Sequence, residues 1–539
     1  MLLGGVAEPA GIPAARWRGN LQKGPPPRVS GAPLRDGGLR EDSGTSLKSH
    51  KGLKTLISVV HYLAPGSDYF YNAPRKENMS DHKAEGYAHP GDGLKRGIPM
   101  VEARDAESLE AERKFLREID ARPHFWQRWR GYWQLTGPGW VQSALTLGAG
   151  SAGSTIMAGA VYGYKLLWVQ PVAMFLGVVT FAAIGHQLLV TRARPYDAFM
   201  KRLHPSLALL WGASVLLASI VWQFPQYSLG TAVLKDIFAV AGLAVPKGII
   251  ALALLVPGTA VCWSYGRGSR RAIRVFERIL KYFLLFMIAA FLLVVIKTGV
   301  DWEETFKGLF YFYVPKSREG ITIVLGMLGA AVGVNMTFLY PYTLLARGWG
   351  KEHRRLKNFD LGVSMFLPFV LATGFVTMAC ANTLYVQGIK VQGAVDAAHA
   401  LQPLVGLTVG RIVFSLGILS MCFTTLVIEM LICGFVLSEM FNFELHGWKY
   451  KASTMLANIG ILGAFTKMPF WLPVITSSFN LLMMPVTYIC FFILQNKRCY
   501  LGEEASRLRS FKDIAWNFLL ILAILAVAAG AAVKIVSLF

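Results

Sequence analysis

The 539-residue chain is 54% hydrophobic and 16% charged, with a mean hydropathy of +0.44, which excludes an ordinary soluble domain, where about a quarter of residues are charged. Its formal charge of +22 does not point to nucleic acid, because the Lys and Arg fall largely in the N-terminal region and in alternate loops, the distribution that orients a membrane protein. The six cysteines include no CxxC pair, and five lie singly in apolar stretches, which speaks against a disulfide framework or a zinc site.

Residues 1–99 are rich in Gly, Pro, Ser and basic residues without sustained periodicity and read as disordered. Alternatively, translation begins at Met79 or Met100 and the earlier residues are not part of the protein. The opening MLLGGVAEPAG lacks the basic start and apolar core of a signal peptide. Residues 100–132 form a second region: a charged helix over 101–121, then the aromatic and basic FWQRWRGYWQ, suited to a cytoplasmic membrane interface. A solvated lead-in explains this helix more simply than a regulatory role.

From 133 to 539 the chain is a membrane domain. Apolar runs of about 20 residues, the length that spans about 30 Å of hydrocarbon, number about eleven. They lie near 136–162, 166–190, 206–232, 247–265, 273–297, 320–344, 359–385, 408–438, 453–469, 471–494 and 513–536; the third is interrupted by polar residues and the ninth is short. Arg192, Arg194, Lys201 and Arg202 follow the second run, and Arg267, Arg270, Arg271 and Arg274 the fourth. Arg347, Lys351, Arg354, Arg355 and Lys357 follow the sixth, and Lys497, Arg498, Arg507, Arg509 and Lys512 the tenth. Even-numbered spans therefore end inside, which places the N-terminus in the cytoplasm and the C-terminus outside the cell (inner) membrane.

The first span, GPGWVQSALTLGAGSAGSTIMAGAVYGY, is broken in its middle by Gly148, Gly150, Ser151, Gly153 and Ser154. Such a break frees backbone groups that can hold a cargo at the membrane midplane; close helix packing through Gly150 and Ser154 explains the same residues. The sixth span carries a second break, GMLGAAVGVN, ahead of Asn335 and Thr337. Two interrupted spans five helices apart are what an inverted five-helix repeat produces, with an eleventh helix added. The expected fold is all-α, polytopic and LeuT-like, with helices one and six broken.

The stretch from Gly137 to Val169, the sixth-span GAAVGVNMTFLYPYTLLARGW and the later AVDAAHALQPLVG together resemble the Nramp family of metal-ion transporters over about residues 135–538. The resemblance implies proton-coupled import of divalent metals by alternating access. It also implies a metal site built from an Asp and an Asn of a DPGN motif in helix one and an Ala carbonyl and a Met thioether of AxxMPH in helix six. Here Gly148, Ala149, Gly150 and Ser151 stand at DPGN, so the carboxylate is gone and Ser151 replaces the amide. Ala330 keeps its place, whereas Gly333, Val334 and Asn335 stand for Met-Pro-His. Backbone carbonyls with Ser151, Thr155 and Asn335 would hold a cation weakly and without preference for soft metals, and the smaller side chains should enlarge the pocket.

In the third span, Phe224 and Tyr227 stand where the family often has acids, and Trp222, Gln223, Gln226 and Tyr227 suit an organic solute better than an ion. A polar helix contact around Pro225 accounts for them equally well. Met483 replaces a glutamine common in the tenth span. One acid stands where hydropathy allows none: Glu429, a candidate to carry a coupling proton or balance a cargo charge, or else a residue paired near the inner interface. His186, near the cytoplasmic end of the second span, reads first as an interfacial hydrogen-bonding group.

The expected binding set is therefore Gly148, Ser151, Thr155, Ala330, Gly333, Asn335, Gln226 and Tyr227, with Glu429 for coupling and no metal ligands or cofactor assigned. The expected partners are a transported ion or small solute and the lipid bilayer, not nucleic acid, and nothing in the sequence specifies an oligomer. The sequence contains no nucleophile–base set, HExxH or phosphate-binding loop, which speaks against an enzyme. A solute transporter and a non-transporting sensor on the same fold remain as alternatives to metal transport.

Overall fold

A computed structural model describes residues 106–265, 282, 285–286, 288–444, 447–467, 469–506 and 510–537, and every regular element among them is helical. Residues 1–99, with the alternative starts Met79 and Met100, lie outside the described residues, as do Arg267, Arg270, Arg271, Arg274, Arg507 and Arg509. Two helices, Ala106–Asp120 and Phe125–Leu135, precede the first span.

Among the described residues, eight helices are each long and apolar enough to cross a bilayer, and the pair Pro138–Thr146 and Ala149–Tyr162, bent by 54°, makes up to a ninth crossing. Of the fifth expected span, the described apolar helix is Ile288–Thr298. The ninth is the helix Trp448–Met455 continued by a 3₁₀ helix over Leu456–Phe465. A 3₁₀ helix rises about 2.0 Å per residue against about 1.5 Å for an α-helix. These two segments therefore reach roughly 32 Å, enough for a core of about 30 Å; the stretched winding explains why the run is short in sequence.

The polar residues of the third span do not interrupt it: Pro205–Val240 is one helix through Pro225. Side-chain partners come from its neighbours, with Gln223 Nε2 donating to the Leu426 carbonyl at 2.9 Å and Tyr227 Oη donating to Asn458 at 2.9 Å. Gly460 and Gly463 of the ninth span lie directly on the backbone at Gln223 and Phe224, where any Cβ would collide.

Contacts at the two ends bring the ends of the second, sixth, eighth and tenth spans together, opposite the end of the third. At one end the Arg194–Glu439 ion pair (2.7 Å) joins the end of the second span to that of the eighth, and Tyr342 of the sixth donates to the same carboxylate at 2.8 Å. Lys497, after the tenth, bonds the Arg202 carbonyl there. At the opposite end Asp236, closing the third span, pairs with Arg411 at the start of the eighth, and Trp168 donates to the Tyr313 carbonyl at 3.0 Å. Between the ends an aromatic ladder, Trp211–Phe338–Phe435–Tyr342, has centroids 4.9 to 5.7 Å apart and packs the third, sixth and eighth spans together. Lys357 is not a loop cation: it is buried in the seventh span, Lys351–Tyr385, where its ammonium donates to the Ala182 carbonyl at 2.7 Å.

Candidate functional site

The first span turns at Leu147 and Gly148, and both residues leave helical geometry. The second half restarts at Ala149, whose amide would have no partner at a helix start; Gln226 Oε1, from the third span, accepts it at 3.2 Å. Ser151 Oγ donates to the Gly148 carbonyl at 3.1 Å, and Thr155 Oγ1 donates to the Ser151 carbonyl. Hydroxyls whose protons are committed in this way present only lone pairs outward.

The sixth span opens at Val332 and Gly333, both extended, between Arg318–Ala331 and Val334–Ala346. Asn480 of the tenth span donates to the carbonyls of Gly329 (3.0 Å) and Val332 (3.3 Å), satisfying groups the break has freed. Asn335 folds back beside Gly333. Its Oδ1 accepts the Met336 amide at 2.9 Å and its Nδ2 donates to Glu429 Oε1 at 2.6 Å.

The eighth and tenth spans join the two breaks. On the eighth, Thr425 and Glu429 are one turn apart: Thr425 faces Gly148, and Glu429 faces Asn335. On the tenth, Ser477 has its hydroxyl against Gly150 and its carbonyl against Gly329, and Asn480 borders Gly333. The glycines thus both break the spans and let neighbours approach closely. Gly148 and Gly333 are the breaks, while Gly150, Gly153, Gly326 and Gly329 admit Trp222, Pro473, Val474 and Ser477 at close range.

The expectation of an enlarged pocket is corrected by these contacts. A Cβ at Gly148 would stand 2.7 Å from Thr425 Oγ1, and one at Gly333 would strike Asn335 Oδ1 with Asn480 Nδ2 3.3 Å away. Neighbouring side chains occupy the volume beside these glycines. Gly148, Ser151, Thr155 and Gln226 lie at one break, and Ala330, Gly333 and Asn335 at the other; Tyr227 is not with them, because its hydroxyl is bonded to Asn458 of the ninth span. His186 meets the Glu504 carbonyl at 3.2 Å, away from both breaks.

The donor set is oxygen-rich. Thr425 Oγ1 and Asn480 Oδ1 are buried atoms without hydrogen-bond partners among the described residues, and Ser219 faces the Glu429 carboxylate from the third span. Among the described residues no three His, Cys, Asp or Glu side chains converge as a metal cluster. Thr425, Ser477 and Asn480 were missed in the sequence, although TTLVIE (424–429) and TSSFN (476–480) are polar insertions at helical spacing in apolar runs.

At the end where the first span begins, Asp360 caps its N-terminus, accepting the amides of Gly137 at 2.9 Å and Gly139 at 2.6 Å. A Cβ at Gly139 would stand 2.7 Å from the Asp360 carbonyl, so glycine is needed for this approach.

The model of the family described as natural resistance-associated macrophage protein-like, Nramp, matches residues 139–532. The chain belongs to the Nramp family. A divalent metal cation transporter MntH from Acidiphilium cryptum (strain JF-5) is similar to this Nramp protein, at 24% identity over 391 residues, 70% of this chain and 86% of the relative. The crystal structure of a manganese transporter from Eremococcus coleocola superposes with a TM-score of 0.63 at 14% identity, covering 82% of this chain and 91% of that one. Mhp1, a nucleobase-cation-symport-1 family transporter with bromovinylhydantoin bound, superposes at 0.51 with 12% identity, covering 74% and 91%. The fold of this Nramp protein is therefore the LeuT-like one expected from its paired breaks, and fold alone does not select the cargo.

Proposed function

We propose that this Nramp protein is a secondary transporter that moves a metal cation across the membrane by alternating access at a midplane site between its broken first and sixth spans. The observation that carries the proposal is the Asn335–Glu429 contact of 2.6 Å, which puts a carboxylate, the one near the breaks among the described residues, directly on the reopened sixth span. Glu429 supplies the negative charge that helix one lacks at Gly148. Thr425, Asn480, Ser151 and Ser219 supply neutral oxygens, and Thr155, Ala330, Gly333 and Gln226 shape the breaks around them. Oxygen donors select hard cations, whereas soft metals favour thioether, thiolate or imidazole. The organic-solute reading loses support because Gln226 and Tyr227, two of its anchors, are bonded to Ala149 and Asn458. As the family resemblance implies, the proposal includes coupling to a proton gradient.

Calorimetry on the purified protein with magnesium, calcium, manganese and cadmium tests the ligand chemistry. With a single carboxylate, affinities are expected at roughly 10⁻⁴ to 10⁻³ M, without preference for manganese or cadmium. Micromolar cadmium binding at the breaks would contradict the oxygen-only site.

The proposal also orients the chain, with the end bearing Arg194, Arg202 and Lys497 in the cytoplasm. Of the six cysteines only Cys499, next to Arg498 at that end, is exposed. A membrane-impermeant maleimide is expected to label Cys499 in inside-out vesicles and not in right-side-out ones; the reverse pattern would invert the topology.

A further inference from the structure

The helix Ala106–Asp120 precedes the residues that match the family, which begin at 139, yet it does not run free in solvent. Glu112, in the middle of a run of charged residues, is buried, and its Oε1 accepts the indole N–H of Trp349 at 2.8 Å. Arg113 Nε donates to Glu352 at 2.8 Å, and Asp120 lies 3.8 Å from Arg355. Leu109 packs on Gly348, a left-handed turn (φ +68°) that ends the sixth span and whose Cβ would stand 3.0 Å from Leu109 Cδ2. Leu116 and Ile119 are buried too, with Ile119 against Gly131 of the next helix.

These partners on the far side lie in one short segment, 347–355, that runs from the end of the sixth span into the first turns of the seventh. The same segment reaches the other moving parts. Arg347 lies against Gly137 at the start of the first span, Glu352 meets Arg192 at the end of the second at 3.5 Å, and five residues beyond Arg355 stands Asp360, the cap on the first span.

We propose that the helix Ala106–Asp120 is a built-in clamp: seated on residues 347–355, it holds the ends of the two broken spans together, and those ends part only when its contacts to Trp349 and Glu352 are released. This rests on the reading of alternating access between those spans. A solvated lead-in helix would not bury Glu112 on an indole donor, nor place its charged residues against a single segment.

The test compares the full-length protein with Glu112→Ala/Arg113→Ala, with the milder Trp349→Phe, which keeps the ring and removes the N–H, and with Arg117→Ala, an exposed position on the same helix, as control. Two readouts are taken: hydrogen–deuterium exchange over Pro138–Thr146 and Val334–Ala346, and cation flux into proteoliposomes. The clamp predicts roughly tenfold faster exchange in both segments for the double variant, the scale of losing a hydrogen bond to a charged group. It predicts a smaller rise for Trp349→Phe, none for Arg117→Ala, and faster flux per folded molecule. Unchanged exchange in both helix halves, or flux that falls only in proportion to folded protein, would overturn it. If the wild type carries no cation, the transport reading fails, and the exchange result alone still upholds or overturns the clamp.

Discussion

Glu429→Gln is expected to reduce cation binding and cation flux at least about 30-fold, because removing one partner of a buried charge pair costs about 2–5 kcal/mol and, among the described residues, no second carboxylate stands at the breaks to replace it. Glutamine keeps the size of the side chain and an oxygen acceptor for Asn335 Nδ2, which donates to Glu429 Oε1 at 2.6 Å. The junction between the sixth and eighth spans should therefore survive, and the thermal midpoint should not fall. This separates a ligand from a structural acid. If Glu429 served only to fix Asn335, Glu429→Gln would bind and carry cation like the wild type and Asn335→Ala would reproduce every defect of Glu429→Ala. Binding by calorimetry, flux in proteoliposomes and thermal unfolding, measured on the same preparations, distinguish the two.

The second large effect concerns the position that the resemblance marks as a lost metal ligand. Gly148→Asp alone should not create a tighter metal site. Its Cβ would stand 2.7 Å from Thr425 Oγ1 and 3.3 Å from Thr425 Cγ2, and overpacking of this kind destabilises by about 1–3 kcal/mol. Combined with Thr425→Ala, which removes both atoms, the new carboxylate has room beside Glu429. A divalent cation should then bind about tenfold or more tightly than in the wild type, since affinity at oxygen sites rises with the number of charged ligands. A gain from the single substitution, or none from the pair, would show that Thr425 does not occupy the place of the missing acid. Calorimetry with manganese reads all three proteins directly.

The two breaks and the acid were legible in the sequence because each violates the apolar pattern around it: glycine clusters weaken a span in its middle, and a carboxylate within FTTLVIEMLICG has no place in hydrocarbon. What filled the space beside the breaks was not legible. Thr425, Ser477 and Asn480 are the residue types that elsewhere satisfy a neighbouring backbone carbonyl in a membrane helix, and only the folded arrangement shows them turned toward Gly148, Gly150 and Gly333. The same holds for Tyr227, whose place in the third span suggested the site, whereas the stretched ninth span brings Asn458 to its hydroxyl. In the helix Ala106–Asp120, Glu112 looks like Glu107, Glu110 and Glu118; its burial against Trp349 follows from a contact 237 residues away in the chain, which local periodicity does not record.

The central claim is that a hard cation crosses at Glu429 between the broken first and sixth spans. Flux of magnesium, calcium and manganese into proteoliposomes, with and without an imposed proton gradient, tests it most directly. The wild type is expected to accumulate at least one of these ions, faster with the gradient, and Glu429→Gln to accumulate none above protein-free vesicles. Accumulation by Glu429→Gln at the wild-type rate, or no accumulation of any cation by a folded wild type, would contradict it.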